Sequence, residues 1–257
     1  MARESVTLLL DADILAFKAA AVSQDRYDFD GVECISTEPE EMKKILDDTI
    51  EEYCDTLKAS SVIVCLSDSK NFRKELDDTY KANRSGSTKP VLLGTAKAYL
   101  ADEYKTYRRP WLEADDVMGI LATHPTLVEG EKIIVSEDKD MRTIPAQIYS
   151  PDRHELGVLS INELDADRFH MWQTIVGDPT DGYPGCRGVG KASVYAEEIL
   201  GAEREELWDI VLEAYASKGQ SEHDAVMQAR HASILRHYQY NYRKKVPLLW
   251  EPFWLLD

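Results

Sequence analysis

The chain has 257 residues, of which 44% are hydrophobic and 30% charged, enough for one large globular domain or two small ones. It shows no apolar run of the roughly 20 residues that a membrane span needs, no signal-peptide pattern, and four scattered cysteines that suggest neither a disulfide framework nor a zinc site. The formal net charge of −17 argues against a broad nucleic-acid-binding surface, so any basic surface has to be local.

Three short apolar runs predict buried strands, and each is followed by acidic residues. These acids are Asp11 after residues 5–10, Asp68 after residues 61–66, and Asp138 with Asp140 after residues 132–135. Helical patterns between the runs predict an α/β domain with a largely parallel sheet. Because the carboxyl ends of parallel strands share one edge of a sheet, the acids are expected to converge there.

Other segments give simpler predictions. Asp13 is expected to cap the first helix, and the polar residues 25–39 predict irregular structure. The aromatic residues Trp250, Phe253 and Trp254 are expected to pack back on the body of the protein.

Residues 112–119 carry three carboxylates within four positions, directly before an apolar helical pattern: Glu113, Asp115 and Asp116. One acid would satisfy a helix N-terminus. Three packed together repel one another unless a cation lies among them. The stretch alone fits either a solvated helix start or part of a cation site, and the other acids of the chain favour the cation site.

After about residue 160 the pattern becomes helical. The turn-rich segment 177–193 contains the acidic pair Asp178 and Asp181 and ends in Gly188-Val189-Gly190-Lys191, before a helix that begins at Ser193. Glycines before a helix let backbone N–H groups approach a phosphate closely. The turn has the form of a helix–hairpin–helix turn, which binds a DNA backbone without reading its sequence.

The acids form a set of hard oxygen donors: Asp11, Asp68, Glu113, Asp115, Asp116, Asp138, Asp140, Asp178 and Asp181. No serine or cysteine nucleophile has an evident histidine partner, and the six histidines make no ligand-spaced pair. Oxygen donors without His or Cys favour Mg²⁺ or Mn²⁺ over zinc. Together with a phosphate-binding turn, they predict phosphodiester hydrolysis with two metal ions.

Four motifs in this order carry a resemblance: Asp77-Asp78-Thr79-Tyr80-Lys81-Ala82-Asn83-Arg84, Glu113-Ala114-Asp115-Asp116, Ser136-Glu137-Asp138-Lys139-Asp140, and the segment from Gly177-Asp178 to Gly190. The sequence resembles the flap-endonuclease-like 5′-nuclease family, and within it the 5′→3′ exonucleases of short-tailed bacteriophages. The resemblance covers nearly the whole chain, although Asp11-Ala12 stands where the family usually has Asp-Gly. It implies a PIN-like or Rossmann-like, mainly parallel sheet with flanking helices in residues 1–160, and a helical DNA-binding region with a helix–hairpin–helix-type turn in residues 161–257.

The resemblance also implies roles for individual residues. Asp11, Asp68, Glu113 and Asp115 match the first metal site, with Asp116 beside it; Asp138, Asp140 and Asp181 match the second, with Asp178 as its outer member. Lys81 and Arg84 match the basic pair that holds the scissile phosphate, and Asp115 counts with them as catalytic. The DNA-binding residues implied are Tyr80, which would stack on a terminal base, and Gly188, Gly190, Lys191 and Ser193, where the family can also hold a K⁺ ion.

The implied function is a divalent-metal-dependent 5′→3′ exonuclease or flap endonuclease in DNA replication, repair or recombination, with two Mg²⁺ or Mn²⁺ ions. The expected partners are DNA ends, nicks and 5′ flaps, RNA–DNA hybrids, and replication proteins such as a single-strand-binding protein, in the cytoplasm of a bacterial host and without a membrane. Three alternatives stay open. A PIN-type ribonuclease shares the acidic core but does not need the 188–190 turn, a catalytically silent relative would only bind branched DNA, and an acidic scaffold protein would not respond to Mg²⁺.

Overall fold

The computed structural model describes residues 5–84, 86 and 88–252. Its strands are β1 (Val6–Asp11), β2 (Gln24–Phe29), β3 (Val32–Thr37), β4 (Ser61–Cys65), β5 (Thr106–Tyr107), β6 (Glu131–Val135), β7 (Gln147–Tyr149), β8 (Val158–Ser160), β9 (Tyr240–Asn241) and β10 (Val246–Pro247). A central six-stranded sheet has the order β5-β4-β1-β6-β7-β8. Its first five strands are parallel and β8 is antiparallel to β7, so the predicted largely parallel sheet is confirmed.

Helices cover both faces of this sheet. The helices in the described part of the chain are α1 (Ala12–Val22), α2 (Pro39–Leu57), α3 (Phe72–Leu76), α4 (Leu93–Glu103), α5 (Ala114–Thr123), α6 (Glu163–Val176), α7 (Val194–Gly201), α8 (Leu207–Ser217) and α9 (Glu222–Ala232). Leu8 and Leu10 of β1 pack with α1, α2 and α4, whereas Leu9, on the other face, packs with α5. Both faces of β1 are therefore buried, which explains its continuous apolar run. Within the described ranges, no helix has both the length and the apolar content to cross a membrane.

The prediction of irregular structure over residues 25–39 is wrong. Strands β2 and β3 form an antiparallel hairpin joined by Asp30 and Gly31, whose φ angles are 55° and 80°. An Asp-Gly pair at positive φ is what a two-residue hairpin turn requires. The strands have mostly exposed, polar side chains, and this polarity masks a turn signal that the sequence does contain.

Helices α6–α9 enclose a further hydrophobic core. The ring centroids of Trp208 and Trp250 lie 5.0 Å apart in this core, so Trp250 packs on the body of the protein as predicted. The same prediction for Phe253 and Trp254 falls outside the described residues.

After α9 the chain returns to the sheet. Ile234 and Leu235 pack in the same core as α5. A Cβ added to Gly119 of α5 would lie 2.5 Å from the carbonyl oxygen of Leu235, so only glycine allows this close crossing. The predicted division near residue 160 stays a prediction, and this crossing brings the last part of the chain against the helix that begins at the acidic stretch.

Candidate active site

Three carboxylates from three different elements lie together at the carboxyl edge of the sheet. Asp11 ends β1, Asp138 follows β6, and Asp115 lies in the first turn of α5. Burial, with smaller contributions from the charges of Asp13 and Asp138, raises the pKa of Asp11 to about 7. Burial and then the charges of Asp11 and Asp138 raise the pKa of Asp115 well above its usual range. Of the strand-end acids predicted to converge, Asp11 and Asp138 therefore lie together, and Asp115 from α5 joins them.

Ser136 holds two of these acids in position. Its hydroxyl donates to Oδ2 of Asp11 at 3.0 Å and accepts from the backbone N–H of Asp138 at 3.1 Å. Asp115, in contrast, accepts no hydrogen bond and forms no ion pair within the described part of the chain. Its carboxylate oxygens are therefore available to another donor or to a cation.

A second group of acids surrounds Lys139. The ammonium group of Lys139 donates to Oδ1 of Asp140 at 3.0 Å and also to Oδ2 of Asp178. Gln173 donates from its side-chain amide to Oδ1 of Asp140 at 2.6 Å. Burial, and next the charge of Asp138, raise the pKa of Asp140 to about 6, so Asp138 acts on both groups of acids.

A third group joins Glu113 to Asp181 through two cations. Lys81 Nζ lies 2.7 Å from Oε1 of Glu113 and 3.4 Å from Oδ2 of Asp181, and Arg84 Nη2 lies 2.5 Å from Oδ1 of Asp181. Burial alone would raise the pKa of Glu113, but Lys81 and Arg73 outweigh it and lower the pKa to about 2. Lys81 itself adopts a φ of 54°, a left-handed conformation that is uncommon outside glycine and often found at functional sites.

The loop that carries Asp178 and Asp181 is closed by two glycines. A Cβ at Gly177 would lie 2.3 Å from the carbonyl carbon of Pro184, and one at Gly185 would lie 2.4 Å from the nitrogen of Gly177. Both glycines also have positive φ, so neither position accepts a side chain without strain. The closed loop sets the two acids against residues 79–81, where the backbone N–H of Lys81 donates to the carbonyl oxygen of Asp181 at 2.8 Å.

The structure gives Asp116 a different role from the one predicted. Its Oδ1 accepts from Arg73 Nη2 at 2.7 Å and from the backbone of Leu235 at 3.1 Å. Its Oδ2 accepts from Arg73 Nη1 at 2.8 Å and from the backbone of Glu113 at 3.2 Å. The side chain is fully buried, and these four bonds occupy both oxygens, so the prediction of Asp116 as a metal ligand is corrected to that of a structural partner of Arg73.

Arg73 is the centre of this buried network. Besides its two bonds to Asp116, it donates to Oε2 of Glu113 at 3.1 Å and to the carbonyl oxygens of His231 and Ser233 at 3.2 Å and 2.6 Å. The guanidinium group has five N–H donors, and these contacts satisfy all of them. Sequence reasoning missed Arg73, because its partners lie 40 or more positions away in the chain.

The side chain of Tyr80 lies inside the protein. It is 3% exposed, and its ring stacks on that of His231 with centroids 5.5 Å apart. Its hydroxyl lies 3.1 Å from Glu113 Oε2 and 3.2 Å from Asp181 Oδ2, and it can donate to one of them at a time. The prediction that Tyr80 stacks on a terminal base is therefore wrong, because a protein ring already covers its face.

Two further acids lie at the margin of the site. Asp68 accepts from the backbone of Trp111 at 3.1 Å, and this bond holds its pKa below the usual range. Asp13 accepts from the backbone of Ser67 at 3.2 Å and does not cap α1, since Asp11 is the N-cap and accepts from Ile14 at 3.2 Å. The cap prediction for Asp13 is wrong, and both acids fasten loops beside the three central carboxylates.

The glycine turn predicted to bind DNA is exposed. Gly188 has a φ of 70°, and nothing lies within 4 Å of a Cβ added there or at Gly190. Ser193 is the N-cap of α7, where its hydroxyl accepts from the backbone of Ala196 at 3.2 Å. The ammonium group of Lys191 lies 5.9 Å from the ring centroid of Trp172 on α6. The turn thus presents glycine backbone and one lysine to solvent, as a phosphate-binding turn requires.

The donor set and the charges fit divalent cations. No group of three His, Cys, Asp or Glu side chains among the described residues is arranged to ligate an ion directly. Instead, Lys81 and Lys139 place ammonium groups between acids from different elements. A site that draws lysine ammonium groups among its carboxylates is electrostatically suited to a cation, and its oxygen-only donors suit Mg²⁺ or Mn²⁺.

Residues 6–164 match the family model of the 5′–3′ exonuclease N-terminal resolvase-like domain. The chain is also 33% identical to the exonuclease of Escherichia phage T7, in an alignment that covers 95% of this chain and 93% of that protein. The chain belongs to the 5′→3′ exonuclease family. The exodeoxyribonuclease of Enterobacteria phage T3 is similar to it at 32% identity, over 95% of this chain and 92% of that protein.

Membership in this family confirms the predicted resemblance and the predicted class of enzyme: a 5′→3′ exonuclease or structure-specific 5′-nuclease that acts on DNA. Among solved structures, the bacteriophage T5 D15 flap endonuclease in complex with DNA and metal ions has a TM-score of 0.59 and 18% identity, with 87% of each chain covered. At that identity the likeness concerns the fold, and it confirms the predicted sheet with flanking helices. The family favours a DNA nuclease over a PIN-type ribonuclease.

Proposed function

We propose that the family's reaction takes place at the carboxyl edge of the sheet, with two Mg²⁺ or Mn²⁺ ions held by the acids gathered there. The observation that carries this proposal is the trio of Asp11, which is buried, with the half-buried Asp115 and Asp138, in which like charges face one another and Asp115 has no protein partner among the described residues. Such a trio is stable only if a cation or protons neutralise it.

The two groups of acids suggest how the ions are shared. Asp11 and Asp115 would hold one ion, Asp140 and Asp178 the other, and Asp138 acts on both groups and would lie between them. Bound ions would polarise the scissile phosphate, lower the pKa of the attacking water and stabilise the leaving 3′ oxygen. Glu113, Asp181 and Asp68 would support this site through Lys81, Arg84 and the loop at Trp111.

The basic residues would serve the substrate. Lys81 and Arg84 pair with acids of the site, and a scissile phosphate would draw them away from Glu113 and Asp181. Their positive charges would then offset the charge that develops on the phosphate during hydrolysis. The products are expected to be 5′-phosphorylated nucleotides or short oligonucleotides.

DNA would be held by its backbone at the exposed turn of Gly188, Gly190, Lys191 and Ser193, so sequence preference is expected to be slight. We also propose that this turn holds a K⁺ ion and that the enzyme acts on RNA–DNA hybrids. It would work in the cytoplasm, with a replication partner such as a single-strand-binding protein. The division into residues 1–160 for catalysis and 161–257 for DNA binding belongs to the same proposal.

A product ladder tests this function. Duplex, 5′-flap and RNA–DNA hybrid substrates, labelled at the 5′ or the 3′ end, are incubated with Mg²⁺, with Mn²⁺ and with EDTA. The proposal expects metal-dependent release of short 5′-labelled products and progressive shortening of 3′-labelled strands. Equal activity of wild type and of the Asp115→Ala and Asp138→Ala variants would contradict the assignment of the ions.

A further inference from the structure

Two segments of this acidic chain contain no Asp or Glu at all. Residues 104–112 include Lys105, Arg108 and Arg109, and residues 234–250 include the run Arg243-Lys244-Lys245. In a chain with 47 acidic and 30 basic residues, this separation of charge makes a local basic surface that the catalytic groups do not account for.

The fold brings the two segments together. The guanidinium of Arg109 lies 4.8 Å from the ring centroid of Tyr107 on β5. Tyr240 of the second segment packs in the same hydrophobic core as Tyr107 and Trp111 of the first. Arg109 is also close enough to Tyr240 and Tyr242 for its charge to oppose the effect of burial, which raises the pKa of both phenols. Strands β9 and β10 form a hairpin whose connecting residues 242–245 are exposed. The surface is therefore formed by β5 on one side and by this hairpin on the other.

Aromatic rings continue along this surface. Tyr242 is 40% exposed and lies edge-on to Tyr240 and to His124, at centroid distances of 5.3 Å and 5.5 Å. His237, next to Tyr238, also lies edge-on to His124. Tyr238 is 54% exposed. Exposed tyrosines beside cations are the combination on which unpaired bases stack while their phosphates are neutralised.

The cations of the hairpin are not neutralised by the protein. Among the described residues, no carboxylate pairs with Arg243, Lys244 or Lys245. At the other end of the surface, Arg108 lies 3.6 Å from Asp68 at the margin of the active site. The basic and aromatic surface is therefore continuous with the site at which DNA would be cut.

We infer that the surface formed by residues 105–109 and 238–245 binds single-stranded DNA. This inference rests on the proposed function, since an exonuclease that removes one strand from a 5′ end leaves the complementary strand unpaired. Phosphates would lie along Arg109, Lys244 and Lys245, and bases would stack on Tyr242 and Tyr238. The surface would hold the unpaired strand and keep the enzyme at the shortening end.

Binding in EDTA tests the inference apart from catalysis. Fluorescence anisotropy measures the affinity of the full chain for a labelled single strand of about 20 nucleotides as the salt concentration is varied. The variant K244A/K245A is compared with K44A/K58A, which removes the same charge from α2 and the residue after it. The pairs are also matched in backbone, because Lys245 and Lys58 have φ angles of 56° and 53°.

The inference expects K244A/K245A to lower the affinity for the single strand about tenfold or more and to reduce the slope of log K against log salt by about 1.4, or 0.7 for each phosphate that the two lysines neutralise. Tyr242→Ala should lower the affinity at least about fivefold without changing that slope. K44A/K58A should bind as wild type does.

Equal weakening in both lysine pairs, or none in either, would overturn the inference. Equally weakened binding of blunt duplex would assign the surface to duplex instead, and tighter binding of an RNA strand of the same sequence would overturn the choice of DNA. Hydrolysis of labelled duplex by the wild-type chain with Mg²⁺ is measured separately, so failure of the proposed function is distinguished from failure of this inference.

Discussion

Asp115 and Asp116 are neighbours on α5, but removal of their charges should change the stability of the protein in opposite directions. Asp116 shares four hydrogen bonds with Arg73, Glu113 and Leu235 in a fully buried position. In Asp116→Asn, an amide NH₂ group replaces one carboxylate oxygen and lies against N–H donors that it cannot accept from. Arg73 also loses the negative charge that balances its own. Breaking a buried ion pair on one side costs about 3–5 kcal/mol. For a chain of this size, that lowers the unfolding midpoint by roughly 6–20 °C.

Asp115→Asn should act in the other direction in metal-free protein. It removes a carboxylate that has no protein partner among the described residues and is repelled by Asp11 and Asp138. Substitutions that improve the charge distribution commonly stabilise a protein by about 0.5–2 kcal/mol, so the midpoint in EDTA should rise by about 1–8 °C.

Thermal unfolding followed by circular dichroism, in EDTA and then with Mg²⁺, distinguishes the two residues. Asp116→Asn should keep the stabilisation that Mg²⁺ gives to wild type, and Asp115→Asn should lose most of it, because only Asp115 has oxygens free for an ion. The reasoning is refuted if Asp116→Asn keeps its stability in EDTA but loses the response to Mg²⁺. It is also refuted if Asp115→Asn destabilises the metal-free protein.

Lys191→Glu should weaken the binding of duplex DNA, measured by filter binding. The slope of log K against log salt should become smaller by about 0.9, the value for one phosphate that is no longer neutralised. An unchanged slope would show that Lys191 does not contact the DNA. Burial lowers the pKa of His170 to about 4. In the unfolded chain this histidine has its ordinary pKa of about 6.5, so below that pH the unfolded chain binds a proton that the folded chain does not. The free energy of unfolding of the wild type should therefore fall by roughly 2 kcal/mol between pH 7 and pH 5 through this residue. In His170→Gln, the free energy of unfolding measured in urea should not show this decrease. An equal decrease in wild type and variant would contradict the assignment to His170. Gly185→Ala should lower the free energy of unfolding by at least about 2 kcal/mol, because its Cβ would lie 2.4 Å from the nitrogen of Gly177. Gly188→Ala is also at positive φ but in open space, and should lower it by about 1 kcal/mol. Equal melting temperatures of the two variants would contradict this difference.

The strands and the acids at their ends could be predicted because each rests on local pattern. An apolar run followed by Asp11 or Asp138 needs no knowledge of the rest of the chain, since parallel strands bring their carboxyl ends to the same edge. The partners of those acids could not be predicted in the same way. Nothing near Asp116 in the sequence distinguishes it from Asp115, and the distinction is made by Arg73, which lies 43 positions earlier.

Other differences have local causes. Tyr80 lies in a motif whose charged members face the site, but its own ring is 3% exposed because His231 packs on it. The position of His231 depends on where α9 ends, which no pattern around Tyr80 reveals. The hairpin of β2 and β3 is predictable from Asp30-Gly31 once turn chemistry is given more weight than the polarity of the flanking residues.

The contacts of Arg73 also determine where this chain can be divided. Two of its acceptors are main-chain carbonyls, at His231 and Ser233, so these bonds require that the backbone of residues 231–233 runs past Arg73. A fragment that ended near residue 160 would keep the buried guanidinium and lose these two acceptors, and Asp116 would lose the N–H of Leu235. The acidic sheet edge is thus completed by residues 231–235, and a truncated sheet region would fold around a buried charge with too few partners.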